Sequence, residues 1–355
     1  MKNLTGLQPQ PHIQEIDGLR GIAISSVVLL HWIFLPLSPI FEELGVKEQL
    51  NIFAYGVDLF FVISGFLIGG ILLKAGKQPS SIAVFYFKRI MRIWPIYYLL
   101  LGILFYLGGG ISVFGEIPYW SFFLFLFNFW ESIGLDLHPA FGPLWSLAIE
   151  EQFYLVGPLL FFLLEKRRLM YLTAAWIIIS PFLRLTLMLH TELDTWRFTP
   201  VRLDGICTGI FLAILISSQG TIPFLLTNIT ALKTLTVTSI VIALICKVVL
   251  PNQLWYSFGN SLMVLSFGLL LLTVLAQCWS NQKNRILNSV VLRYLGLRCY
   301  NIYLFHIFFM MLASGLVENF FVQLVLQALL TLGFAHISWK YIEYPLIKFA
   351  RRFPY

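Results

Sequence analysis

Charge is what this chain has least of. Only 12% of its 355 residues are Asp, Glu, Lys or Arg, about half the share usual for a soluble domain, which excludes an ordinary water-soluble globule. Cysteine is scarce as well. Cys207, Cys246, Cys278 and Cys299 form no CxxC pair, and no histidine stands at metal-ligand spacing, so neither a disulfide framework nor a metal site is expected. The first apolar run has no small-x-small cleavage site after it, and so reads as a retained span and not as a secretory signal. With no long linker and no internal repeat, the chain reads as an N-terminal segment 1–16, one membrane unit 17–348 and a basic tail 349–355.

What the chain has in abundance is apolar sequence: 59% hydrophobic residues, 33 of them Phe, and a mean hydropathy of +0.83. Stretches long enough to cross a bilayer fall near 18–37, 52–73, 94–114, 144–164, 169–189, 197–217, 233–250, 255–276, 299–316 and 320–347. The predicted fold class is all-α integral membrane, a bundle of about ten transmembrane helices. Residues 118–130 are too short for a comfortable crossing and are expected to form one re-entrant or interfacial helix. That choice puts Lys2, Arg20 and the basic clusters at 74–92, 166–168, 283–298 and 348–352 on one side, together with Lys233. Lys47, Arg197 and Lys247 then lie outside, and Arg184, Arg202 and Lys340 within spans. The bias makes both termini cytoplasmic. It also accounts for the net charge of +7 through topology, with the lipid bilayer and no nucleic acid as the expected partner. Trp94, Trp145, Trp196, Trp255 and Trp279 fall near span ends, as an aromatic belt requires.

Against this apolar background the polar residues stand out. Asp17-Gly-Leu-Arg20 opens the first span and His31 follows eleven residues later, roughly 16 Å further along a helix. A histidine at that depth marks a functional site by default, or else packs between helices. Asp58, Glu150, Glu151, Arg184, Arg202 and Asp204 approach the same level on other spans, which suggests a polar cavity open to the outside. Glu150 and Glu151 point about 100° apart, and the stripe Ser146, Glu150, Tyr154 favours Glu150. Arg184, Arg202, Asp204 and His306 are candidate substrate-binding groups, although His306 fits a packing role equally well. Arg89 and Arg92 share a helical face suited to phosphate, unless they serve only topology or lipid headgroups.

These residues lie in motifs that resemble the acyltransferase-3 family of integral-membrane O-acyltransferases. The motifs are Asp17-Gly-Leu-Arg-Gly-Ile-Ala with His31; Val57-Asp-Leu-Phe-Phe-Val-Ile-Ser-Gly-Phe66; Arg89-x-x-Arg92; Leu144-Trp-Ser-Leu-Ala-Ile-Glu-Glu-Gln-Phe-Tyr154; Tyr300 to His306; and Ile342-Glu-Tyr-Pro345. They run in order from residue 17 to 345. The resemblance implies transfer of an acyl group, typically acetyl, from cytoplasmic acyl-CoA to a hydroxyl of a glycan or glycolipid, in a bacterial inner membrane. It makes Arg20 and His31 the family's Arg-x10-His motif and Arg89 and Arg92 its acyl-CoA motif, and it puts Glu150 in the Trp-Ser-x-x-x-Glu-Glu-Gln segment. Acyl-CoA is then a donor substrate, with no bound cofactor. The extra hydrolase-like domain of some members is not expected here.

An alcohol needs a base, and an imidazole, titrating near about pH 6.5, suits the task. His31 is therefore expected to act as base or acyl relay, with Glu150 or Asp58 orienting it and Arg20, Arg89 and Arg92 holding the donor. A transporter or flippase using the same groups as a proton relay, or a non-catalytic acyl-CoA sensor, remain the alternatives.

Overall fold

A computed structural model describes residues 13–354; expectations for residues 1–12, Lys2 included, and for Tyr355 lie outside the described residues. Among the described residues, ten helices are long and apolar enough to span a bilayer: α1 (Gln14–Phe34), α2 (Lys47–Ala75), α3 (Pro79–Leu107), α4 (Leu144–Leu163), α5 (Lys166–His190), α6 (Thr199–Ile216), α7 (Ile229–Val249), α8 (Asn252–Trp279), α9 (Cys299–Leu316) and α10 (Phe320–Ala350). No strand occurs among the described residues. The protein is an all-α integral membrane bundle.

Two segments depart most from the sequence reading. The basic segment around Arg89 and Arg92 is helical and continuous with α3, which begins at Pro79 and runs through Pro95. Proline suits a first helical turn, and a span tolerates it further in where neighbours satisfy the freed carbonyl. Residues 118–130 form two short helices, Tyr119–Phe123 and Phe127–Ser132. Phe125 between them has a positive φ of 55°. The Gln152 amide holds this break, donating to the Phe125 carbonyl at 2.6 Å and to Asn128 Oδ1 at 2.8 Å. At five and six residues, neither helix can cross.

Glycines set how closely the spans approach. A methyl at Gly65 of α2 would strike the Ile206 carbonyl of α6, and one at Gly209 of α6 would strike the Val62 carbonyl of α2, the close backbone contact that small residues allow in membranes. The short helix Val290–Leu297, capped by Ser289 Oγ accepting from Leu292 N–H at 3.3 Å, packs the same way on the first turns of α1. There Gly296 lies on the Asp17 carbonyl and Gly21 on that of Leu292. These contacts fix α1 around Arg20.

Three helices contain a widened turn: Leu30–Phe34 in α1, Trp255–Gly259 in α8 and Trp339–Glu343 in α10. In the first, Leu35 N–H reaches the Leu30 carbonyl, five residues back, at 2.9 Å. Such turns recur at functional sites, and this one carries His31.

Candidate active site

His31 reaches across from α1 to His306 of α9. Its Nδ1 lies 2.9 Å from the Val27 carbonyl and 3.2 Å from His306 Nε2, while His306 Nδ1 lies 2.6 Å from the Tyr303 carbonyl. Carbonyl oxygens only accept, so both Nδ1 atoms carry the proton. His31 Nδ1–H then donates to Val27 O and His306 Nε2 together, and His306 Nε2 is an acceptor. This tautomer, assigned from the hydrogen-bond network, leaves the lone pair of His31 on Nε2. Trp32 Nε1–H donates to the His306 carbonyl at 3.2 Å, a second tie between α1 and α9.

A cavity of about 630 Å³ opens among the ends of α1, α3 and α10 that carry the basic clusters, and Arg20, Arg89, Arg92 and Arg351 line it. Arg89 stacks on Phe85 and Tyr154, its guanidinium carbon 5.7 and 5.9 Å from the ring centroids. Deeper in, Tyr154 donates to Glu150 Oε2 at 2.6 Å and lies 2.8 Å from Ser64 Oγ. Glu150 lines the cavity; Glu151 turns away to accept from Trp94 Nε1–H at 3.0 Å. At the cavity's inner limit Tyr303 pairs with Ser146 Oγ at 2.7 Å, and its ring lies 5.8 Å from that of His306. Tyr303 thus connects cavity and histidine pair.

A second cavity, of about 490 Å³, lies at the opposite ends of the spans. Leu30 and Leu35, on either side of His31, contribute to its wall with Tyr55, Arg184, Trp196, Arg197, Arg202, Lys247 and Tyr256. Most of its charges are committed. Arg202 meets Asp58 at 2.9 Å, donates to Asn260 Oδ1 at 2.8 Å and stacks 4.3 Å from the Trp196 centroid. Arg184 pairs with Asp204 and donates to the Ser257 carbonyl at 2.7 Å. These two pairs clamp α2, α5, α6 and α8. Arg197 meets Glu131 at 3.0 Å and Asp194 at 2.6 Å; burial pushes the Glu131 carboxyl up to about 7 against the pull of Arg197.

The expected single layer of ionisable groups therefore separates into three. The two carboxylates expected to orient His31 are held elsewhere, Asp58 by Arg202 and Glu150 by Tyr154. A backbone carbonyl and a second imidazole hold the ring instead. Arg184 and Asp204 pair with each other and reach Ser257 and Ser261 of α8, Arg202 is held by Asp58 of α2 and Asn260 of α8, and His306, a candidate substrate-binding group in the sequence, contacts His31. Glu150 lines the cavity at the basic end although α4 starts at Leu144 as expected, since that start is already buried, as are Ala140 and Phe141 before it. Counting residues from that start overstates how close Glu150 lies to the far surface. Sequence reasoning passed over Tyr303, Ser64, Arg351 and Lys247. The first three lie within or beside motif segments, while Lys247 carries no signal beyond an isolated cation at a span end. Among the described residues no group of His, Cys, Asp and Glu is placed to hold a metal.

The model of the acyltransferase domain family matches residues 13–339. The peptidoglycan O-acetyltransferase OatA of Listeria monocytogenes is 26% identical over 95% of this chain and 56% of its own length. The putative peptidoglycan O-acetyltransferase YrhL of Bacillus subtilis is 25% identical over 96% and 55%, and the O-acetyltransferase OatA of Staphylococcus aureus 25% identical over 98% and 59%. The chain thus spans a little over half the length of these curated relatives. No solved structure gives a significant match.

Proposed function

We propose, for a chain that belongs to the acyltransferase-3 family, that it moves an acetyl group from cytoplasmic acetyl-CoA to a hydroxyl of a glycan or glycolipid beyond the membrane. The observation that carries this reading is the His31–His306 couple between two cavities at opposite ends of the spans, the one at the basic end lined by four arginines. Positive-inside bias supports a cytoplasmic arginine cavity with both termini on that side, and the bacterial organisms of the relatives support a bacterial membrane, which we take to be the inner one. Guanidinium groups match the phosphates of a CoA, so Arg89 and Arg92, with Arg20 and Arg351, hold the donor while its thioester arm runs past Tyr303. The acceptor enters through the far cavity.

In the step itself, His31 Nε2 takes the acceptor's hydroxyl proton as the oxygen attacks the thioester carbonyl. The C–O bond forms, the C–S bond breaks, and the proton passes from the imidazolium to the departing CoA thiolate. The positive charge on His31 is stabilised along Nδ1–H by His306 Nε2 and Val27 O. General-base help of this kind supplies typically about 10²–10⁴ in rate. His31→Ala should therefore lower acetyl transfer by about that factor in purified protein reconstituted in lipid nanodiscs, with acetyl-CoA affinity retained. Full activity in that variant removes His31 from the mechanism. Incubation with ¹⁴C-acetyl-CoA and no acceptor separates base from relay: protein-bound label stable to gel filtration, and absent in His31→Ala, means that His31 carries the acetyl group.

A further inference from the structure

Lys247 lines the far cavity and, among the described residues, has no carboxylate within ion-pair distance. It stands near the end of α7, where snorkelling would carry an ammonium out to water, yet it is only 7% exposed. Its Nζ instead lies over the rings of Trp255 and Tyr256, 5.5 and 5.2 Å from their centroids, and the side chain lines the cavity. Arg184, Arg197 and Arg202 on the same wall each have an acid partner. Lys247 has no ion pair and no hydrogen bond among the described residues. The Asp194 carboxylate on the same wall is held by Arg197 at 2.6 Å, and Glu48 accepts from Asn51 Nδ2 at 3.3 Å. Aromatic faces hold a cation weakly compared with an anion in a desolvated site, so a ligand that brings negative charge gains most here.

We infer that the far cavity binds a saccharide bearing an acidic group, a carboxylate or a phosphate, and that this group sits on Lys247. Beside Lys247 the cavity wall holds the half-buried rings of Trp196 and Tyr256, apolar surface against which a sugar can pack, and the polar side chains of Asn51 and Thr195. That the ligand is a saccharide rests on the transfer reading above; that it is an anion rests on Lys247 alone.

Direct binding separates the two. Three fluorescently labelled probes are titrated into nanodisc-held protein: chitobiose, chitobiose with one ring oxidised to the uronic acid, and chitobiose 1-phosphate. The wild type should bind one or both acidic probes at least 10-fold more tightly than the neutral one, about 1.4 kcal/mol. Lys247→Arg keeps this ratio and Lys247→Met brings it close to one. A tighter phosphate arm assigns the charge to a carrier-lipid or sugar phosphate, a tighter uronate arm to the saccharide itself. His31→Ala should keep the wild-type ratio while losing transfer. If the wild type transfers no acetyl group but binds with this ratio, the transfer reading fails and the Lys247 site stands. A wild-type ratio below twofold, a ratio that survives Lys247→Met, or no binding of any probe overturns the inference.

Discussion

Replacing His306 with Ala takes away the acceptor 3.2 Å from His31 Nδ1 and leaves the Val27 carbonyl, at 2.9 Å, to hold the ring alone. In the ground state His31 is neutral, and little is lost. When Nε2 takes the acceptor's proton the ring becomes a cation, and the missing hydrogen bond is then one to a charged group, of about 1.5–3 kcal/mol. At about 1.4 kcal/mol per tenfold, kcat for transfer should fall about 10- to 150-fold, with KM for acetyl-CoA nearly unchanged because His306 lies behind Tyr303. His306→Gln can accept through its amide oxygen and should recover part of the loss. The assay is steady-state acetyl transfer in nanodiscs with both substrates varied. A loss in His306→Ala well beyond about 150-fold and equal to that in His31→Ala would mean that the two rings act as one unit or that His306 is the base. No loss at all would mean that His31 needs no partner for its charge. Either result refutes a division of labour in which His31 takes the proton and His306 steadies the charge.

Two further perturbations test the surroundings of the couple. Arg89→Ala with Arg92→Ala should raise KM for acetyl-CoA at least 10-fold while kcat at saturation changes little, as expected when binding common to ground and transition states is removed; a fall in kcat alone would contradict donor binding. Asp58→Asn leaves Arg202, 1% exposed, without its counter-charge, which costs about 3–5 kcal/mol in comparable buried pairs. It should lower the thermal midpoint in detergent sharply, and the double variant Asp58→Asn, Arg202→Met should restore it. A restored but inactive double variant would return Asp58 or Arg202 to the chemistry.

The number of spans was legible because apolar length alone decides whether a segment crosses. The interruption at 118–130 was legible as a stretch too short to do so. Its division at Phe125 was not, since a tertiary contact from Gln152 on α4 holds that turn. The early start of α3 was hidden for a related reason: a hydropathy reading ends a span where charge begins, whereas a helix runs on while its backbone bonds are met. Among site residues, Arg20, Glu150, Arg89 and Arg92 sit in motifs and meet at one cavity. Asp58 sits in a motif as well, yet its partner is Arg202, 144 residues away, and no spacing rule links the two. Lys247 was illegible because its burial depends on where α8 lays Trp255 and Tyr256.

The same pairings bear on the rival reading as a transporter. Alternating access requires one group of helices to rock against another around a central site. Here Arg202–Asp58 and Arg184–Asp204 tie α2 and α5 to α6, and α8 joins through Asn260 and Ser257. Glycines bring α2 and α6 into backbone contact and lock the start of α1 to Val290–Leu297, while Trp32 and His31 bind its other end to α9. Any rocking of α2 against α6 would have to open a buried ion pair and a close backbone contact together. Ties of this kind favour the proposed transfer, in which both substrates would travel and the base would not, a thioester approaching from one side and an alcohol from the other. The acidic group proposed at Lys247 fits that division: it would anchor the acceptor at the far end of its cavity, away from the histidine pair, so that binding energy from a non-reacting part of the substrate positions the hydroxyl that reacts.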